Sequence, residues 1–295
     1  MTPVENPTPP RILAIRDVLG DSLTVFLTVR NQALMLLLLA VILPELVFAV
    51  IFAEYGIAQV QALPQLFTSL GGGPSNISLL LTPIMDLAGY YGTVSLVLWF
   101  FTIGCYFSIL LMCYNARRGV PLESLAATYK QGLSLSLRKG LGLLLLTVFV
   151  TMTMQILPAA AIFVGTLGLM TPVLIVAEER GVWSAFWHSL KVGYSAESRY
   201  RGWPTIVSLL AIGAGFYALV LGLVYLAEYT FVLHHWFPLP RTGPLHSFGD
   251  KPYGLLYFMS LGLELLAAGC MTLFLPAITV TIYGKVTDPE ISVKA

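Results

Sequence analysis

The sequence predicts an all-α fold: a polytopic membrane helical bundle with six transmembrane helices and cytoplasmic amphipathic interfacial helices. Three observations lead there. Hydrophobic residues make up 57% of the 295 positions and charged residues 11%. A soluble domain is about 25% charged, so a chain this poor in ionic groups needs lipid for most of its surroundings. Apolar runs of spanning length recur along the chain. Threaded as six spans, those runs leave fourteen of the 16 Lys and Arg on one side and only Arg241 and Lys251 on the other, as the positive-inside rule requires.

Residues 1–10, M-T-P-V-E-N-P-T-P-P, carry four prolines and predict a disordered tail. From Arg11 a different pattern starts. Ile12, Ile15, Leu19, Leu23 and Phe26 share one face, with Arg16, Asp17 and Asp21 elsewhere, which predicts a first surface helix closed by Arg30. The run that follows has no small-residue cleavage site and reads as a retained span, residues 33–53. Pro44 lies within it and predicts a bend or a freed carbonyl. Residues 54–89 contain no Lys or Arg and read as an external loop with a short amphipathic or re-entrant piece. The Gly71-Gly72-Gly73 run in it has neither a preceding strand nor a following Lys-Ser/Thr, so it does not predict a nucleotide loop.

Span two covers about 90–114. A second amphipathic helix follows, with Leu122, Leu125, Ala126, Tyr129, Leu133 and Leu137 on one side and Arg138 and Lys139 at its close. Residues 140–177 are apolar throughout, enough for two spans of 141–157 and 160–177 that turn at Pro158. A single tilted span plus a buried segment is the alternative. Glu178, Glu179 and Arg180 mark an exit from lipid. Trp183, Phe186, Trp187, Leu190 and Tyr194 then recur at helical spacing, a third surface helix closed by Arg199 and Arg201. Trp183, Phe186 and Trp187 are the expected interface anchors. Span five, 204–227, leads into a proline-rich irregular loop, 228–253. Span six, 254–283, contains Glu264 and Pro276 and precedes a cytoplasmic tail, 285–295. Residues 11–284 thus form one membrane domain, in a bacterial cytoplasmic (inner) membrane, with both termini cytoplasmic.

One unit, amphipathic helix followed by basic closure and span, occurs three times, from Arg11, Val120 and Val182, with Ser22, Ser124 and Ser189 at related positions. Any surface helix feeding a cytoplasmic span gives the same pattern, so duplication and simple convergence both fit. The spacing Pro172, Glu178, Gly181, Ala185, Ser189, with Val18–Leu23 and Arg117-Arg118-Gly119-Val120, resembles the YciC-type uncharacterised inner-membrane family and the membrane domain attached to some glycerophosphodiester phosphodiesterases. The resemblance implies a helix that leaves the bilayer after proline, carries an acid and turns into a surface helix ending in basic residues. It transfers no catalytic residue. A phosphodiesterase would need a soluble barrel and a clustered acid–His metal site, and neither is in the sequence.

Candidate site residues are few. Glu45 lies about 17 Å from the cytoplasmic face and Glu264 about 15 Å from the other, at ~1.5 Å per residue. In a core about 30 Å thick the two carboxylates fall at nearly one level, where they would share a proton or bind a cation. Structural polarity, with each acid hydrogen-bonded beside a proline, is the plainer reading. Glu178 is an interfacial ion-pair candidate with Arg117 or Arg138 as its partner. His234, His235 and His246 match no metal spacing and are weak ligand candidates. Cys105, Cys113 and Cys270 read as buried free thiols. No cofactor is expected. The partners expected are membrane lipids and a partner membrane protein or a second copy of the chain. Nucleic acid is not expected, because the chain has no basic block. The role expected is that of a non-enzymatic accessory or scaffold protein, with a small-molecule or ion transporter using Glu45 and Glu264 as the alternative.

Overall fold

A computed structural model describes residues 13–51, 77–156, 164–191, 203–236 and 255–287, and every regular element among them is helical. The N-terminal tail, the glycine run, Pro158, Arg199, Arg201, His246 and residues 288–295 lie outside the described residues, while residues 285–287 of the expected tail continue the last helix. In chain order the helices are α1 (Ile15–Ile51), α2 (Ile77–Arg117), α3 (Leu125–Ile156), α4 (Val164–Ala177), α5 (Val182–Lys191), α6 (Trp203–Trp236) and α7 (Leu255–Thr287). Five of them, α1, α2, α3, α6 and α7, are long and apolar enough to cross a membrane.

Continuity is the main departure from the sequence reading. The first expected surface helix and span one form the single helix α1, and the second surface helix and span three form the single helix α3. Arg30, Arg138 and Lys139 therefore lie within helices. Arginine and lysine are good helix formers, and the chain does not break where they occur. Residues 77–89, expected in a loop, are the first turns of α2, and residues 228–236, expected in the next loop, continue α6. Of the expected fourth span, 160–177, the described part is α4, about 21 Å long at ~1.5 Å per residue. Most of α4 is buried, including Leu169, Met170, Val173, Leu174 and Ile175. Among the described residues this region holds one helix of spanning length, α3, and the shorter, largely buried α4.

Local chemistry explains the ends and defects. Within α1 the stretch Leu38–Ile42 is a π-helix, and Pro44 follows it. Proline has no N–H to give the carbonyl four residues back and its ring crowds that carbonyl, so the helix widens by a turn of longer hydrogen bonds. After α2 the N–H of Gly119 bonds Ala116 O and that of Val120 bonds Asn115 O, with Gly119 at φ 68. This is the left-handed cap that glycine adopts without strain. Ser124 caps α3 through the N–H of Ala127.

Packing is closest where side chains are smallest. A Cβ on Gly132 would collide with Ser108 and the Gly104 carbonyl, one on Gly104 would press on Leu133, and one on Gly140 would meet Phe100. Ser136 adds a hydrogen bond of 2.9 Å to Phe100 O. The repeat Gly132-x-x-x-Ser136-x-x-x-Gly140 therefore lets α2 and α3 approach along their backbones, the small-residue packing of membrane helices. Along α1 the inward face is likewise Val18, Ser22, Val29 and Ala33, while Leu19 and Leu23 are 50% and 52% exposed. The C-terminal half of α7 forms the centre. Leu273, Leu275, Ala277, Ile278, Val280, Ile282 and Val286 are all buried, whereas Met259 and Leu266 near its start are exposed.

Candidate functional site

The polar side chains of the described residues collect in two places, with hydroxyls spread between them. Several of the hydroxyls bond the carbonyl four residues back, as Thr24, Thr28, Thr93, Thr102, Ser108, Thr147 and Thr153 do. This is how a hydroxyl is satisfied where no water is at hand.

The first place is a cluster where four helix ends meet. The Tyr283 hydroxyl of α7 donates to Glu178 Oε1 at 3.3 Å, and Glu178 also pairs with Arg180. Tyr114 of α2 lies 6.4 Å from the Tyr283 ring, and Arg118 stacks over Tyr114 at 5.4 Å. The Arg117 guanidinium packs on Gly284, where any side chain would collide with it. Lys285, only 9% exposed, forms an ion pair of 2.6 Å with Asp21 of α1. Glu178 is thus an ion-pair residue, but with Arg180 two positions on and with a tyrosine the sequence reading did not single out. Glu179 takes φ 53 in the bend that makes the Arg180 contact. Arg117 joins the cluster through Gly284. Arg138 is on the exposed side of α3, two residues beyond the Ser136–Phe100 contact and about 25 Å of helix from Arg117. It makes no ion pair among the described residues.

The second place holds Glu45 and Glu264. Helices α1 and α7 run antiparallel, with Asp21 against Lys285, Phe26 4.9 Å from Phe274, and Leu37 against Gly269. The same register brings the Glu45 and Glu264 carboxyls within range of mutual charge repulsion. Glu45 is half-buried and Glu264 is exposed.

The aromatic trio divides. Trp183 and Trp187 are 43% and 58% exposed, but Phe186 is 3% exposed and packs on Gly168, so it is a core contact and not an anchor. Ser189 staples α5 to α4. Its hydroxyl donates to Leu167 O at 2.5 Å and accepts the Met170 N–H at 3.2 Å. The three serines of the apparent repeat have different roles: Ser22 bonds Val18 O within its own helix, Ser124 is a cap, and Ser189 joins two helices. Of the weak metal candidates, His234 and His235 lie on the last turn of α6. Among the described residues no group of three or more metal-ligating side chains forms. The described cysteines are free, and Cys105 and Cys113 are buried.

Two cavities lie between the helices. One, of about 450 Å³, runs beside the π-turn of α1, between Ala40, Pro44, Phe101 and Tyr129. The other, of about 360 Å³, lies among α3, α4, α5, α6 and α7. Neither has a charged residue in its lining. No family model, curated protein or solved structure matches this chain, so what it does is inferred from its own geometry.

Proposed function

We propose that this chain is a non-enzymatic accessory or scaffold protein of the bacterial inner membrane, one that engages lipid and a partner membrane protein or a second copy of itself. The observation that carries this reading is where its polar chemistry lies. The charged contacts tie helix ends together at Glu178, Tyr283, Lys285 and Asp21, while the two cavities described are apolar. Such a molecule is built to hold a shape in lipid. Both termini and α5 face the cytoplasm, following the basic residues, and Trp183 and Trp187 lie in the membrane interface. The layout fits that of the YciC-type proteins it resembles. Extraction in lipid particles followed by crosslinking and mass spectrometry tests the reading. A partner or a second copy is expected at fixed stoichiometry, and recovery of the chain as a monomer in every preparation would count against it.

One observation favours a second reading, a proton- or cation-coupled transporter: the antiparallel register of α1 and α7 places Glu45 and Glu264 at similar positions along the pair. Two carboxylates in a bilayer share a proton or take a cation. In that case Glu45→Gln and Glu264→Gln each abolish coupled uptake in proteoliposomes. Uptake that survives both substitutions excludes this reading.

A further inference from the structure

We infer that the π-turn of α1 is a one-residue phase insertion that turns Glu45 into the bundle, with Pro44 as the positioning residue that pins it there. The two halves of α1 are out of phase. Before the turn the inner face runs Val29, Ala33, Leu36 and Ala40, the spacing of an ordinary α-helix. Continued at about 3.6 residues per turn, that face would next take Leu43 and Val47. Both are instead on the outside, 52% and 54% exposed. The inner positions beyond Ala40 are Val41 and Ala49, 1% and 7% exposed, with Pro44, Glu45 and Phe48 half-buried. Val41, Pro44, Glu45, Phe48 and Ala49 fall at i, i+3, i+4, i+7 and i+8, so the face is whole again but starts one residue later. One residue is a rotation of about 100°.

Backbone chemistry places the extra residue. The Leu43 N–H bonds Leu38 O, five residues back, so the turn holds one residue more than an α-turn. In a regular helix the Pro44 ring would press on the Ala40 carbonyl and leave it without a donor. A wider turn just ahead of the proline relieves that contact. Pro44 therefore fixes the insertion immediately before Glu45.

The consequence is where a carboxyl stands. Without the insertion Glu45 falls on the outer face, against lipid, where a charge is costly. With it, Glu45 shares a face with Pro44, which borders Leu98 and Phe101 of α2 across the cavity of about 450 Å³. Leu43, Leu46, Val47 and Val50 take the outer face. Packing alone gives no reason for this exchange, because leucine and valine are better core residues than glutamate. The turn trades two apolar side chains for one carboxyl on the inner face, which makes Glu45 the residue that the turn serves.

The inference goes beyond both readings above, and facing is measured separately from partner recovery and from uptake. A nitroxide scan from Ala33 to Ile51, in the full chain carrying C105A, C113A and C270A and reconstituted in bilayers, reads facing as accessibility to oxygen, which concentrates in the lipid core. The helical period is expected to jump by one residue between Ala40 and Glu45, with positions 43 and 47 open to oxygen and position 45 shielded. An unbroken period, with 43 and 47 shielded and 45 open, overturns the insertion. Deletion of Leu39 together with Pro44→Ala removes the extra residue and the proline, and leaves a plain helix in register at both ends. Labels at the native positions 43 and 47 should stay open and that at 45 shielded; reversal of the contrast overturns the phase argument. If the shortened chain fails to fold, the scan of the full-length chain decides. Pro44→Ala at full length should weaken the contrast, because the turn is then free to shift along α1. A contrast unchanged by Pro44→Ala overturns the role given to the proline.

Discussion

Single residues show how few polar contacts fasten these helices. Ser189 serves two backbone groups of α4 at once. Ser189→Ala removes a donor and an acceptor from a buried junction and is expected to cost about 1–3 kcal/mol, read as a lower thermal midpoint in detergent. Lys285 and Asp21 form a lopsided pair, with side chains 10% and 51% exposed. Asp21→Asn strands a mostly buried ammonium, and Asp21→Asn with Lys285→Met should recover most of the loss. That double-mutant cycle distinguishes coupling from two independent defects. Glu178 was legible in the sequence as an ion-pair residue, because acids next to an apolar run must find partners. Its link to Tyr283 was not, since a contact between residues 105 positions apart leaves no local pattern.

At the scale of elements, the apolar runs were legible and their junctions were not. Basic residues after an amphipathic stretch read equally well as a helix end and as a helix passing from one environment to another. At Arg30 and Arg138 the helix continues. The facing of α1 was misleading for a physical reason. Periodicity marks the face with the largest apolar side chains, but in lipid those side chains turn outward and small ones pack inward. Ile15, Leu19 and Leu23 are accordingly exposed while Val18 and Ser22 are buried. The crossing of α2 and α3 tests this view. Gly132→Leu is expected to destabilise the protein by about 3 kcal/mol or more, because the obstacle is backbone as well as side chain. Gly20→Ala, with nothing within 4 Å of the new methyl, should leave the midpoint unchanged or slightly raised.

For the molecule as a whole, composition and charge gave the membrane class directly. Fold class was legible because a chain with 11% charged residues has few alternatives. Span number was less legible, because a buried helix such as α4 is as apolar as one in lipid and differs only in length. The candidate site was partly legible: matching depths put Glu45 and Glu264 at one level, and the antiparallel register of α1 and α7 places them at similar positions along the pair. The cavity beside Thr171 was not legible, since its lining comes from five helices. Topology remains a matter of charge, and reporters fused after residue 200 and at the C-terminus are both expected on the cytoplasmic side. An external signal at either would require a different threading.

The helix whose C-terminal half fills the centre, α7, is also the one that follows all the others in the chain. At about 5–20 residues per second, the earlier helices wait for seconds on the ribosome without the surface they close around. During that interval Cys105–Cys113 of α2 and the inner face of α1 have only each other and lipid. Assembly is therefore gated by the synthesis of α7. A chain stopped near Gly269 would keep four of its five long helices and lack the interior that joins them, which makes it a natural target for membrane quality-control proteolysis.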